Sequence, residues 1–256
     1  MFSSLIKIPI LKRIIPSLGL KILKILKKNR GYFKIKDTKM FLDFLDPIDR
    51  QIILNQEYEK LEINYLIKEI KKNNIIHFID IGANCGYYSI FIAKNISNIT
   101  IQSYEPNKEA FFKLKQTLEI NPVLKEKINI YNFGLSAEKR ELKMQSMVKY
   151  GYSQTGGSAI IENISYENFN VYDAQFEIGD KIINQNKNTI AIKIDVEGHE
   201  LNVLKGLKNI ITNNKIIIQI EIFEKNFKKV NNFLTSQGYK IIYEIKERSN
   251  YFYSNF

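Results

Sequence analysis

"FIDIGANCGYYSIFIAK", residues Phe78 to Lys94, joins an apolar strand, a glycine-bearing turn and an apolar helix in one short stretch. The strand half is apolar on both faces, as in a parallel sheet covered on both sides, and Asp80 is its one charge. Gly82 and Gly86 let the backbone of the turn approach a ligand, and the helix that follows offers its N-terminal amides. The turn lacks the third glycine of a Gly-x-Gly-x-x-Gly dinucleotide fingerprint. A pyrophosphate would welcome the amides and be repelled by Asp80, whereas a ligand bearing an ammonium and a sulfonium would be drawn to that carboxylate.

Outward from this stretch, short apolar strands alternate with amphipathic helices, the pattern of a sheet with helices on both faces. Strands are expected at Ile75–Ile81, Thr100–Tyr104, Ile128–Phe133, Ile190–Asp195 and Ile216–Phe223, with helices at Tyr87–Asn95, Lys108–Asn121, Glu200–Thr212 and Lys225–Gln237. Beyond Gly238, "YKIIYEI", the polar turn "KERSN" and "YFY" read as a closing hairpin. Such folds bind ligands at the carboxyl ends of their strands. The second strand ends in "SYEPN", which sets Glu105 there as a bidentate acceptor for two ribose hydroxyls. An acid on the first turn and another at the next strand end together suit S-adenosylmethionine. An ordinary strand-to-helix turn with a helix-capping acid is the plainer alternative.

Composition describes a globular chain of one domain, or of one with a small appendage: 256 residues, 45% hydrophobic and 25% charged. The net charge of +11 comes from lysines scattered among Ile and Asn, not from a basic patch, so no specific nucleic-acid partner is expected. A single cysteine, Cys85, excludes an intrachain disulfide and fits a reducing, cytoplasmic compartment. At the N-terminus, lysines and Arg13 interrupt every apolar run, so neither a bilayer span nor a cleavable export signal is expected. Leu20, Ile22, Leu23, Ile25 and Leu26 against Lys21, Lys24, Lys27 and Lys28 suggest a short amphipathic helix, packed on the domain or resting on the inner face of an anionic membrane. Helical spacing of Ile52, Ile53, Tyr58, Leu61, Tyr65, Leu66 and Ile70 marks a second helix over Pro47–Lys72. Residues 1–72 are therefore expected to form a helical region, and 73–256 the catalytic-type domain.

On these residues the chain resembles the class I S-adenosylmethionine-dependent methyltransferases, and within them the FkbM family. The resemblance runs from about Gln56 to the C-terminus. It rests on "FIDIGANCGYYSIFIA", "YEPNKEAFFKLKQTLEIN", "INIYNFGLS", "GGSAI", "IKIDVEGHELNVLKGL" and "IQIEIF". It implies a Rossmann-like seven-stranded α/β sheet, mostly parallel with an antiparallel last strand, and O-methylation of a hydroxyl on a sugar, glycan precursor or other small molecule. It also implies that Asp80, Gly82, Ala83, Asn84, Gly86 and Tyr88 line the methionine end of the donor. Glu105, Pro106 and Asn107 would then meet the ribose, and Asn132, Gly134 and Leu135 the adenine edge. "QEYE" is similar to the family segment before the cofactor loop, which would bring Glu59 over the methionine moiety, or leave it a solvated helix position.

"IAIKIDVEGHE" carries the densest chemistry. Alternation sends Ile190, Ile192 and Ile194 to one face and Lys193 and Asp195 to the other, with Asp195 at the carboxyl edge toward the donor. Methyl transfer to a hydroxyl needs an acceptor oxygen held in line and a base for its proton. Asp195, Glu197, His199 and Lys193 are the catalytic candidates. Against that, Glu197 and Glu200 suit a helix N-terminus, and Lys193 with Asp195 suits a plain ion pair. Asp195, Glu197 and Glu221 are also a candidate set for a divalent cation that would lower the acceptor's pKa. His77, within the first strand, reads as structural, and Cys85 as a small spacer. Residues Arg140–Ile161, with "KYGYSQTGGSAI", read as an inserted hairpin or loop over the acceptor pocket, with Gly156, Gly157 and Ser158 as a lid or a turn.

Overall fold

The computed structural model describes residues 29–149, 152–161 and 168–256. The expected amphipathic helix at Leu20–Lys28 lies outside the described residues. The region expected to be wholly helical opens instead with a hairpin, β1 (Arg30–Ile35) and β2 (Thr38–Asp43), in which Ile35 and Met40, Leu42 face the core while lysines alternate outward. Two helices follow where one was expected. α1 (Pro47–Asn55) is capped by Asp46, whose carboxylate accepts from the Ile48 and Asp49 amides, and α2 spans Lys60–Lys72. Gln56 and Glu59, both with left-handed backbone at φ 58° and 42°, break the chain between them.

The main sheet contains β3 (His77–Ile81), β4 (Thr100–Tyr104), β5 (Ile128–Tyr131), β11 (Thr189–Ile194), β12 (Lys215–Glu221), β13 (Lys240–Ile245) and β14 (Asn250–Ser254). Its order is β13-β14-β12-β11-β3-β4-β5, with β14 antiparallel to both neighbours and the other pairs parallel. This is the seven-stranded α/β sheet that the sequence implies. Helices α3 (Tyr87–Asn95) and α4 (Lys108–Glu119) join α2 on one face, around Phe78, Leu66, Ile90 and Leu114. On the other, α7 (Glu200–Gly206), α8 (Lys208–Asn213) and α9 (Glu224–Ser236) cover Ile79, Ile192 and Ile218. Side chains alternate along each strand, so Phe78 and Ile79 enter opposite cores.

Between β5 and β11 the chain builds a second sheet where a simple hairpin or loop was expected. β7 (Arg140–Lys149) and β10 (Phe169–Ile178) pair antiparallel over most of their length, flanked by β6 (Gly134–Ser136), β8 (Tyr152–Ser153) and β9 (Ala159–Ile160). The segment between β8 and β9 carries Thr155 to Ser158 onto the carboxyl end of the main sheet, where these residues join the wall of a cavity.

Candidate active site

A cavity of about 470 Å³ opens at the carboxyl ends of β3, β4, β11 and β12, where parallel α/β sheets place ligands. Of the cofactor, catalytic and cation candidates named from sequence, eleven line it: Glu59, Gly82, Asn84, Glu105, Pro106, Gly134, Leu135, Asp195, Glu197, His199 and Glu221. The glycine turn is held against β4, since the Gly82 and Ala83 amides both donate to the Tyr104 carbonyl at 2.9 and 3.1 Å. Gly82 sits at φ +80°, and a Cβ there would stand 1.8 Å from the Asp195 carbonyl oxygen, so only glycine lets the turn pass the end of β11.

Glu105, expected from sequence to meet the ribose, is held by two backbone amides. Its two carboxylate oxygens accept separately from the Asn84 and Asn107 backbone amides, at 2.7 and 2.8 Å. Burial raises the carboxyl to about 7, against the pull of those two amides.

Around the rest of the cavity stand Glu59, Asp195, Glu197 and Glu221. Burial, followed by the charge of Asp195, raises Glu197 to about 7, and the same two causes with Glu59 raise Glu221 to about 8. Burial also raises Glu59, whose carboxylate accepts the Tyr88 hydroxyl at 2.7 Å. Beside them Lys193 is buried and already donates to Asp195 at 2.9 Å. Burial works against its charge, yet Asp195, Asp80 and Glu59 together lift its pKa above the ordinary value. The wall is thus rich in carboxylates, and two cations beside it, Lys193 and Arg248, are committed to Asp195 and Glu62.

Several expected site residues lie off this wall. Asp80, expected to face the ligand, is fully buried behind the turn; one oxygen accepts the Ser89 hydroxyl at 2.6 Å and the other, Oδ1, has no partner among the described residues. Lys193 lies over the Tyr88 ring at 4.7 Å and acts on the cavity through Asp195. Ala83, Gly86 and Tyr88 are absent from the wall: a Cβ on Gly86 would meet Leu114 of α4 at 2.2 Å, so this glycine serves helix packing. Asn107 caps α4 and reaches Ser146, Ser158 and Tyr172 of the inserted sheet, and Asn132 holds the Glu105 carbonyl at 2.8 Å. Both therefore shape the site from outside it.

The His199 ring is committed at both nitrogens. The Asn202 side-chain amide donates to Nδ1 at 3.1 Å, which leaves Nε2 to carry the proton toward Ser136 Oγ at 2.9 Å. Burial, with Arg140 adding to it, lowers the ring to about 4, so it stays neutral with no lone pair free for a substrate proton. The cation cluster expected from Asp195, Glu197 and Glu221 is likewise corrected to separate wall positions. Among the described residues no three His, Cys, Asp or Glu side chains converge as metal ligands. Asp195 is turned to Lys193, and Glu197, on left-handed backbone at φ 51°, meets the Gly157 amide.

The methyltransferase FkbM domain family matches residues 80–241, well over half of the chain and across both the glycine turn and the Asp195 block. The chain belongs to the FkbM methyltransferase family. Two characterised relatives are similar at lower levels. Hexuronic acid methyltransferase AglP of Haloferax volcanii is 25% identical over 165 residues, covering 62% of this chain and 60% of that protein. Methyltransferase 1 of Beauveria bassiana is 22% identical over 213 residues, covering 72% and 84%. The crystal structure of an FkbM methyltransferase from Methylobacillus flagellatus superposes with a TM-score of 0.50 at 16% identity, over 71% of this chain and 44% of that one, a likeness of fold alone. The FkbM chain described here thus spans less than two thirds of AglP and of that crystallised protein.

Sequence reasoning missed Thr155, Arg248, Asn250, Gln51 and Ile48 on the cavity wall. Arg248 had a findable signal, because the turn before an antiparallel last strand must lie at the carboxyl end of β12; its guanidinium donates to both oxygens of buried Glu62 at 2.9 and 3.0 Å. Thr155 lies in the segment read as a loop over the pocket, but nothing local singles out its own side chain, because the loop's seat depends on pairing distant strands.

Proposed function

We propose that this FkbM domain is an S-adenosylmethionine-dependent O-methyltransferase acting on a hydroxyl of a sugar or glycan precursor. The observation that carries the reading is the acid-rich cavity with Glu105 at its β4 end: Glu59, Asp195, Glu197 and Glu221 face a space whose neighbouring cations, Lys193 and Arg248, are already paired. That charge pattern suits an ammonium and a sulfonium and repels a diphosphate. Glu105 would hold the ribose hydroxyls, Gly82 and Asn84 the methionine end, and Gly134 with Leu135 the adenine edge. When bound, the donor supplies an electrophilic methyl group on a positively charged sulfur.

The rest of the work falls to the chain. The wall beside Glu59, Glu221, Asn250 and Gln51 is rich in acceptors, which suits a polyol presenting several hydroxyl donors. The similarity to a hexuronic acid methyltransferase supports a sugar in that place. Glu197, held near 7, is matched to take the acceptor hydroxyl's proton at neutral pH. The test incubates the purified chain with isotope-labelled S-adenosylmethionine and a panel of hexose and hexuronic acid glycosides. Label in a base-stable ether on one sugar is expected. Label that enters only protein or nucleic acid added as control contradicts the reading.

A further inference from the structure

Thr155 reaches the cavity from the inserted sheet, 71 positions from the glycine turn, and is almost wholly buried. Its amide donates to Asp46 Oδ2 at 2.8 Å and its hydroxyl oxygen accepts from Lys113 Nζ at 3.0 Å, with Asp46 Oδ2 also 2.7 Å from that oxygen. Lys113 is buried with Asp46 and Asp49, its ammonium 2.7 Å from Asp49. The hydroxyl of Thr155 is therefore locked from two sides. Its single proton has a second acceptor in the Asn84 side-chain carbonyl oxygen at 3.0 Å, and Thr155 is the hydrogen-bond partner of that side chain among the described residues.

Asn84 needs such a hold. It is a non-glycine residue at φ 50°, and its backbone amide donates the 2.7 Å hydrogen bond that orients Glu105. A rotation of this peptide would withdraw the amide from the carboxylate. We infer that Thr155 is a positioning residue that holds Asn84, and through the Asn84 amide the Glu105 carboxylate, in the arrangement that receives the methyl donor. The inference rests on the donor reading above and adds to it that the inserted sheet tunes donor affinity, besides walling the acceptor.

The experiment titrates S-adenosylhomocysteine, the demethylated product, into wild type and variants by calorimetry, with thermal melts of each unliganded protein. Thr155→Val raises Kd about tenfold, the loss of one hydrogen bond to a polar network. Thr155→Ser, which keeps the hydroxyl, returns within about threefold of wild type. Asp49→Asn weakens the same buried ion pair without touching Asn84, so it lowers Tm and leaves Kd within about twofold. In an Asn84→Ala background, Thr155→Val adds less than about twofold. Wild-type affinity in Thr155→Val, or an equal loss in Asp49→Asn, overturns the inference. Wild-type protein that binds no product sinks the donor reading itself and this inference with it.

Discussion

Lys193 Nζ donates to Asp195 Oδ2 at 2.9 Å from two residues back along the chain, which sets one buried ammonium against the carboxylates of the cavity. Glu59 and Asp80 feel the same charge. Lys193→Met leaves these carboxylates uncompensated and is expected to cost about 3 kcal/mol of folding stability, as for any buried pair broken on one side. Denaturant unfolding at neutral pH checks it, and a loss under about 1 kcal/mol would show that solvent already neutralises the group.

Two glycines with similar backbone separate strain from collision. Gly82 (φ +80°) would drive a Cβ to 1.8 Å from the Asp195 carbonyl, whereas Gly157 (φ +77°) has open space around its Cβ position. Gly157→Ala should cost about 1 kcal/mol, the left-handed strain alone. Gly82→Ala adds a backbone clash between β3 and β11 and should cost at least about 3 kcal/mol more. Equal Tm values for the two variants would refute the close approach.

Unliganded stability should fall as pH rises from about 6.5 to 8. Glu105 and Glu197 at about 7 and Glu221 at about 8 hold protons in the folded protein that the unfolded chain has released, so folding weakens up to those values. His199, lowered to about 4, acts oppositely: the unfolded chain binds its proton below about 6.5, so stability rises with pH there. Above that only the carboxylates contribute. Thermal melts across this range test it, and a flat or rising Tm contradicts the crowded-carboxylate description.

Roles within the Asp195 block separate in kinetics. Glu197→Gln should lower kcat by at least about 100-fold with product affinity kept, because the proton acceptor is lost and not the donor site. His199→Gln should change kcat by less than about threefold while lowering Tm, since both ring nitrogens are spent on Ser136 and Asn202. The reverse pattern would return the base to His199.

Much of the fold is legible in local pattern. The bounds of β4 and α3 coincide with the sequence reading, since Gly86 opens the helix, the polar Ser97-Asn98 parts helix from strand, and Glu105-Pro106 ends the strand. Three things were not legible. The β1–β2 hairpin carries its alternation in a lysine-rich segment beside an apolar N-terminus, which reads as one helical region. The inserted sheet depends on β7 finding β10 across a long separation, a pairing that no local window contains. The burial of Asp80 depends on Ser89 and Ser103 closing over it, so its charge faces the protein and the work of facing a cation passes to Asp195 and the glutamates. Glu105 was legible as an acid at a strand end, but the two amides that aim it belong to the folded turn.

The acid-walled cavity is expected to bind a cationic methyl donor. Calorimetric titration of S-adenosylmethionine into the cofactor-stripped chain tests it most directly, with reduced nicotinamide dinucleotide titrated in parallel. One donor bound per chain is expected, weakened at least about tenfold in Glu105→Gln, with no heat from the dinucleotide. Tight dinucleotide binding with silence toward the donor would contradict it.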